Sequence, residues 1–338
     1  MELGAAPART LDQRTTRELT TTARTLLTDH TDLTGRADLT DAAAHRELLS
    51  AVRRAAPALG DRVRHACRPV DTPDGLFVLK GLPVDDAALG PTPGHWSAAG
   101  GAGALHDIVL LLLSALMGTP LAWEGQQDGR FVHNIVPSPG HERAQTGASS
   151  ATLLSPHTED AFHPGRAHLL VLGCLRNHDR VATTAASVRR ARLSDADVDL
   201  LSRPVLPILP DAAYTQARNH VGRPPAVATL WRSPDGPRLR FDPAYTPLDR
   251  AGAAHRAAYR RLTDELTRVS VAVTLAPGDV LVVDNDLVVH GRVPFRARYD
   301  GTDRWLKRTS VRVPGCRTRP AAERHEHGYG QRTTEAFA

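Results

Sequence analysis

The middle of this chain is written in short apolar runs closed by Gly, Pro, Asn or Asp, and that punctuation limits the fold more than any other feature. Residues 75–83, 167–174, 181–188 and 280–283 are each of strand length, too short for helices that bury a stripe over several turns. Residues 226–241 read as a hairpin turning at Pro234-Asp235-Gly236, where Asp and Gly suit the turn backbone. Residues 269–275 and 280–283 read as a strand pair around Ala276-Pro277-Gly278-Asp279. Strands of this length with short connections pack as two sheets, so the expected class is mainly β with flanking α-helices, built on a jelly-roll core.

The helices are legible by period. Leu19, Ala23 and Leu26 within 16–29, and Leu48, Leu49 and Val52 within 40–56, recur at helical spacing. Residues 104–117 are apolar nearly all round and predict a helix buried on most sides. Residues 193–201 predict a helix capped by Ser194, and 250–268 the clearest amphipathic helix. Residues 123–136 read as a strand or hairpin carrying Gln126 and Gln127, and the polar loop 137–150 after it as a mobile lid. The domain layout that follows is a flexible tail at 1–14, one domain over 15–314 and a polar tail over 315–338.

The chemistry centres on Ser155-Pro156-His157-Thr158-Glu159-Asp160-Ala161-Phe162-His163-Pro164. In an extended segment, His157 and Glu159 point the same way because side chains alternate faces. His290 is the best third ligand: it ends the apolar run through Val288 and Val289 and leads into a Gly291-containing turn. Two histidines and one carboxylate on one face, with other positions free, are the ligand set of non-haem Fe(II) oxygenases.

Four blocks then carry a resemblance. Gln126-Gln127-Asp128-Gly129-Arg130, the His157–Pro164 block, Cys174-Leu175-Arg176-Asn177, and His290-Gly291-Arg292 followed by Tyr299-Asp300-Gly301-Thr302-Asp303-Arg304-Trp305-Leu306 occur in that order over residues 75–313. The chain resembles the clavaminate synthase-like branch of the Fe(II)/2-oxoglutarate dioxygenases, which includes hydroxylases of free arginine, asparagine and lysine. The resemblance implies a double-stranded β-helix of cupin type. It implies Fe(II), with 2-oxoglutarate and O2 as co-substrates, and His157, Glu159 and His290 as catalytic metal ligands.

Further roles come from the same resemblance. Arg304, fourteen residues after His290, takes the co-substrate carboxylate, which a planar guanidinium fits in bidentate fashion. Thr184 matches a hydroxyl that assists it, with Thr183 an adjacent rival. Gln126, Glu159 and Arg308 are placed on the α-groups of an amino acid, and Asp242 on its side chain. A second acid of the arginine-hydroxylase pattern is replaced by Ala244, which leaves arginine, lysine, citrulline and asparagine types open. The implied reaction is hydroxylation of an unactivated C–H in a free basic or amide-bearing L-amino acid, in specialised-metabolite biosynthesis. Desaturation or ring closure by the same iron chemistry is the alternative, and Glu159 leaves no vacant position for a halide. A non-catalytic metal-binding β-barrel is a more distant reading, since a structural zinc site calls for a fourth protein ligand. His163 reads as structural, with orienting the loop or helping to bind substrate as the functional alternatives, His133 as structural, and Asp284 and Asp286 as turn acids.

Composition removes other classes. The net charge of +5 is spread along the chain rather than gathered in a basic block, so no nucleic-acid partner is expected. Cys67, Cys174 and Cys316 form no paired spacing, which points to a reducing compartment. The longest apolar run, 108–117, is too short to span a bilayer, and no signal segment precedes it. A cytoplasmic enzyme with a small-molecule partner is the expectation, its oligomeric state open.

Overall fold

The computed structural model describes residues 6–30, 42–68, 72–211, 213–214, 223–315 and 319–336. Two sheets face each other. The larger runs β1 (Ala8–Thr10), β2 (Leu76–Lys80), β11 (Val280–Asp284), β6 (Leu169–Arg176), β13 (Trp305–Arg312), β3 (Thr119–Trp123) and β14 (Thr333–Glu335), with β4 (His133–Ile135) also on β13. The smaller runs β10 (Val271–Val273), β7 (Thr183–Ser187), β12 (Val288–Arg292) and β5 (Leu154–His157). This is the expected jelly-roll arrangement; the larger sheet is mixed through the parallel pair β1–β2, the smaller is antiparallel, and among the described residues the hydrogen bonding does not close into a barrel.

The central strands are apolar on both faces because both are covered. Phe77, Leu79, Val171, Val280 and Val282 pack against the helices α1 (Gln13–Asp29), α2 (Ala42–Ala55) and α3 (Asp61–Cys67), and against the later helix Ala104–Met117. Leu76, Val78, Leu170, Leu172, Leu281 and Leu306 face the smaller sheet. The Ala104–Met117 helix is buried as its composition predicts, with Leu112 and Leu113 fully enclosed; each such leucine contributes about 2 kcal/mol. Ser194 caps Asp195–Leu201 by accepting from the Asp197 amide. The amphipathic helix spans Ala253–Arg268, and the hairpin β8 (Leu230–Ser233) and β9 (Gly236–Leu239) turns where Pro234-Asp235-Gly236 predicts.

Several expectations are corrected. Ala8–Thr10 pairs in parallel with β2 and Asp12 caps α1, so the described part of 1–14 is docked. Its first five residues, the expected start of the second helix at 40–41, and residues 316–318 and 337–338 lie outside the described residues. The C-terminal segment is not a loose tail: β14 pairs with β3, and Glu323 and Glu326 reach buried Arg166 and Arg240. Local polarity misled there, because buried partners lie far away in sequence. Residues 123–136 are no hairpin; β3 and β4 both pair with β13. Strands β10 and β11 are likewise in different sheets, since the chain crosses the sandwich at 274–279.

Candidate metal centre and active-site pocket

Strand β12 places His290 opposite His157 of β5 and Ala185 of β7, and directly opposed residues of antiparallel strands share a face. His290 therefore lies inside a strand rather than at a turn. Gly291 is required for closeness: a Cβ there would meet the Leu154 carbonyl and come 2.9 Å from the Thr184 hydroxyl. Glu159 follows just beyond the end of β5, as the shared orientation with His157 demands.

The three side chains converge. Glu159 Oε2 lies 3.2 Å from His290 Nε2 and 3.7 Å from His157 Nε2, and one ligand atom from each falls within 4.8 Å of the others. His157 Nδ1 is 2.8 Å from the Ser155 carbonyl, which turns Nε2 inward. Burial opposes charge on His157, yet the Glu159 carboxylate lifts its pKa to about 9. Burial also lowers the pKa of His290, with His157 adding to it, while Arg308 and both histidines hold Glu159 well below the carboxylate range against its own desolvation. A permanently ionised carboxylate between two imidazoles is a donor set in which a divalent cation can replace protons. The residues fit a 2-His-1-carboxylate iron site.

Arg304, just ahead of β13, is 8 % exposed. It donates from Nη2 to Thr183 Oγ1 at 2.9 Å, while its buried Nε has no partner. Burial pulls its pKa down to about 10. Such an unmatched cation on the pocket wall is suited to a carboxylate. Thr183, opposite Arg292, lines the pocket; Thr184, opposite Gly291, lies on the other pleat with its hydroxyl unpartnered. The β7 register thus favours Thr183 over the expected Thr184, a one-residue difference that reverses the face.

Arg308 shares the pocket wall with Arg304. It donates to Glu159 Oε1, to Gln126 Oε1 at 3.0 Å and to His133 Nδ1 at 2.9 Å. Gln126, Glu159 and Arg308 are therefore brought together as expected. His133 gains the partner its own segment lacks because β4 pairs it directly with Arg308. Burial and that guanidinium depress its pKa to about 3, so it accepts as a neutral imidazole.

Asp242 lines the pocket while its Oδ1 caps the turn at Ala244 and Tyr245, 3.1 and 3.3 Å away. Burial raises its pKa to about 6. Asp211, missed by the sequence reading, lines the same pocket from the loop after residue 206, and burial raises its pKa too. A single loop acid has no sequence signal; only folding brings it beside Asp242. Gln145, Thr146 and Gly147 of the expected lid border the pocket, held where the Ser155 amide donates to Gln145 Oε1 at 3.0 Å. His163 lies apart, its Nδ1 accepting from the Gly165 amide at 2.8 Å and its Nε2 3.1 Å from the Gln331 carbonyl. Asp284 and Asp286 are buried ion-pair partners of Arg238, and of Arg166 and Arg319.

Known proteins are similar to this chain in sequence and fold. The sequence profile of the taurine catabolism dioxygenase TauD, TfdA family matches residues 110–310. Enduracididine beta-hydroxylase of Streptomyces hygroscopicus is 37% identical over 297 residues, 80% of this chain and 87% of that protein. L-asparagine oxygenase of Streptomyces coelicolor is 38% identical over 76% of each chain. A non-haem iron oxygenase solved with Fe, succinate and (3S)-hydroxy-L-Arg superposes with a TM-score of 0.79 at 35% identity, covering 91% of this chain and 94% of that one. The chain belongs to the TauD, TfdA dioxygenase family.

Proposed function

We propose that the protein hydroxylates an unactivated C–H of a free L-amino acid with a cationic side chain, using Fe(II), 2-oxoglutarate and O2. One observation carries the reading: a single pocket joins His157, Glu159 and His290 to Arg304 and Arg308 at one wall and to two half-buried carboxylates, Asp211 and Asp242. Bound there, iron would use 2-oxoglutarate as the reductant that activates O2 for attack on a C–H, one oxygen atom going to the amino acid and the other to succinate, with CO2 lost. His157, Glu159 and His290 hold the metal; Arg304 with Thr183 takes the far carboxylate of 2-oxoglutarate.

Arg308 and Gln126 take the α-carboxylate of the amino acid, and Glu159 faces its ammonium. Asp211 and Asp242 hold the cation at the other end, for which two carboxylates suit a guanidinium or ammonium better than an amide. Anchoring both ends fixes the aliphatic middle, and this orientation is the protein's share of the rate. Hydroxylation of an enduracididine- or arginine-like substrate agrees with the names of the relatives. Residues 15–314 form one catalytic domain in this reading, with residues 6–14 and 319–336 fastened to it. It places the enzyme in the cytoplasm; among the described residues no helix is long and apolar enough to cross a membrane.

The test is succinate release by iron-loaded protein with 2-oxoglutarate and each of arginine, lysine, ornithine, citrulline and asparagine, with product masses. Stimulation by a cationic member and a product heavier by one oxygen is expected. A product lighter by two hydrogens identifies desaturation or ring closure, and preference for asparagine refutes the role given to the acid pair.

A further inference from the structure

Glu159 lies just past the last residue of β5, so no ladder bond fixes its backbone. Its amide N–H donates instead to Asn285 Oδ1 at 2.8 Å, and its carbonyl accepts from Asn285 Nδ2 at 3.0 Å. The same Nδ2 donates to the Ala167 carbonyl at 3.2 Å. Asn285 is fully buried, and its own amide N–H donates to the His168 carbonyl at 2.8 Å. It occupies the connection between β11 and β12, five residues before His290. Both neighbours are tethered: Asp284 pairs with Arg238 at 3.2 Å, and Asp286 with Arg166 at 3.2 Å and Arg319 at 3.0 Å.

We infer that Asn285 is a positioning residue of the metal centre: its side-chain amide stands in for the missing strand partner of Glu159 and sets the carboxylate against His290. A primary amide carries a donor and an acceptor in one plane, as a peptide group does, so it satisfies both backbone groups of one residue. Aspartate lacks the donor, and leucine fills the volume with neither. Because Asn285 sits in the short, tethered connection that leads into β12 and His290, the amide links the two ligand-bearing segments directly. It acts on the backbone of Glu159; Arg308 and the two histidines orient the carboxylate itself. Outer groups that orient ligands are worth about 10- to 100-fold in metal affinity.

This inference rests on the metal-site reading above, and the test separates the two. Apo protein is titrated anaerobically with Fe(II) by calorimetry, alongside thermal melting, for the native chain, Asn285→Leu, Asn285→Ser and His157→Ala. Leu112→Ala, a core change in the distant helix Ala104–Met117, serves as a control for generic destabilisation. Both Asn285 variants are expected to bind Fe(II) about 10- to 100-fold more weakly while Leu112→Ala binds as the native chain does. The serine variant, which leaves room for water, keeps the measurement available if the leucine variant does not fold. Native Fe(II) affinity in a folded Asn285 variant overturns the inference, as does an equal loss in Leu112→Ala. If the native chain binds no better than His157→Ala, the metal-site reading fails and the inference with it.

Discussion

Replacing Arg304 by methionine should make the ligand-free protein more stable while abolishing its response to 2-oxoglutarate. Arg304 is 8 % exposed, makes one bond to Thr183 and leaves Nε unmatched. Burial lowers its pKa from 12.5 to about 10, a penalty on the order of 3 kcal/mol at ~1.4 kcal/mol per unit. Both values lie far above neutrality, so the cost is constant between about pH 6 and 8. Methionine keeps most of the apolar stem and removes the charge. With an unfolding entropy of ~2.1 cal/mol/K per residue, recovery of the full penalty raises the ligand-free Tm by up to about 4 °C.

The native chain should gain a similar shift from 2-oxoglutarate with Mn(II), because ligand at about 100 times Kd adds ~2.7 kcal/mol. Arg304→Met should gain none at that concentration, and its KM for 2-oxoglutarate should rise between about thirtyfold and several thousandfold, the effect of losing a bidentate charge pair worth about 2–5 kcal/mol. Differential scanning fluorimetry with and without the ligand reads both quantities. A lower ligand-free Tm in the variant together with a native ligand shift would refute the reasoning.

Three other predictions follow from the same geometry. Thr183→Val should raise the KM for 2-oxoglutarate about tenfold to hundredfold, the worth of one hydrogen bond to a charged group, whereas Thr184→Val should leave it within twofold; steady-state kinetics on both variants decide between the neighbours. Asp242 has a pKa raised to about 6 by burial, so protonation removes its charge as pH falls through about 6, and KM for a cationic substrate should climb there; Asp242→Asn should flatten that limb and cost about 10- to 100-fold in kcat/KM. Glu323→Gln should lower stability by about 3 kcal/mol, measured by chemical denaturation, because it strips a counter-charge from fully buried Arg166 and Arg240.

The sequence disclosed what depends on local pattern. His157, Glu159 and His290 were readable from strand alternation and run ends, and the structure places their donor atoms together. The Ala104–Met117 helix was equally legible because no soluble surface tolerates that many leucines around a helix. What escaped depends on pairing between distant segments. Polarity made residues 319–336 look unattached, although their acids neutralise arginines buried more than eighty residues away. His133 had no visible partner until β4 met β13, and Asp211 reached the pocket only through the loop it sits on. Thr183 and Thr184 could not be told apart without the register of β7 against β12.

The most direct test of the central account is turnover under labelled oxygen gas. Purified iron-loaded protein is given 2-oxoglutarate, the stimulating amino acid and 18O2, and both products are weighed by mass spectrometry. The account predicts one labelled oxygen in the amino acid and one in succinate, with neither product formed by His157→Ala or Glu159→Ala. Labelled succinate with an unchanged amino acid would contradict amino-acid hydroxylation, and equal turnover by the two ligand variants would contradict the metal site.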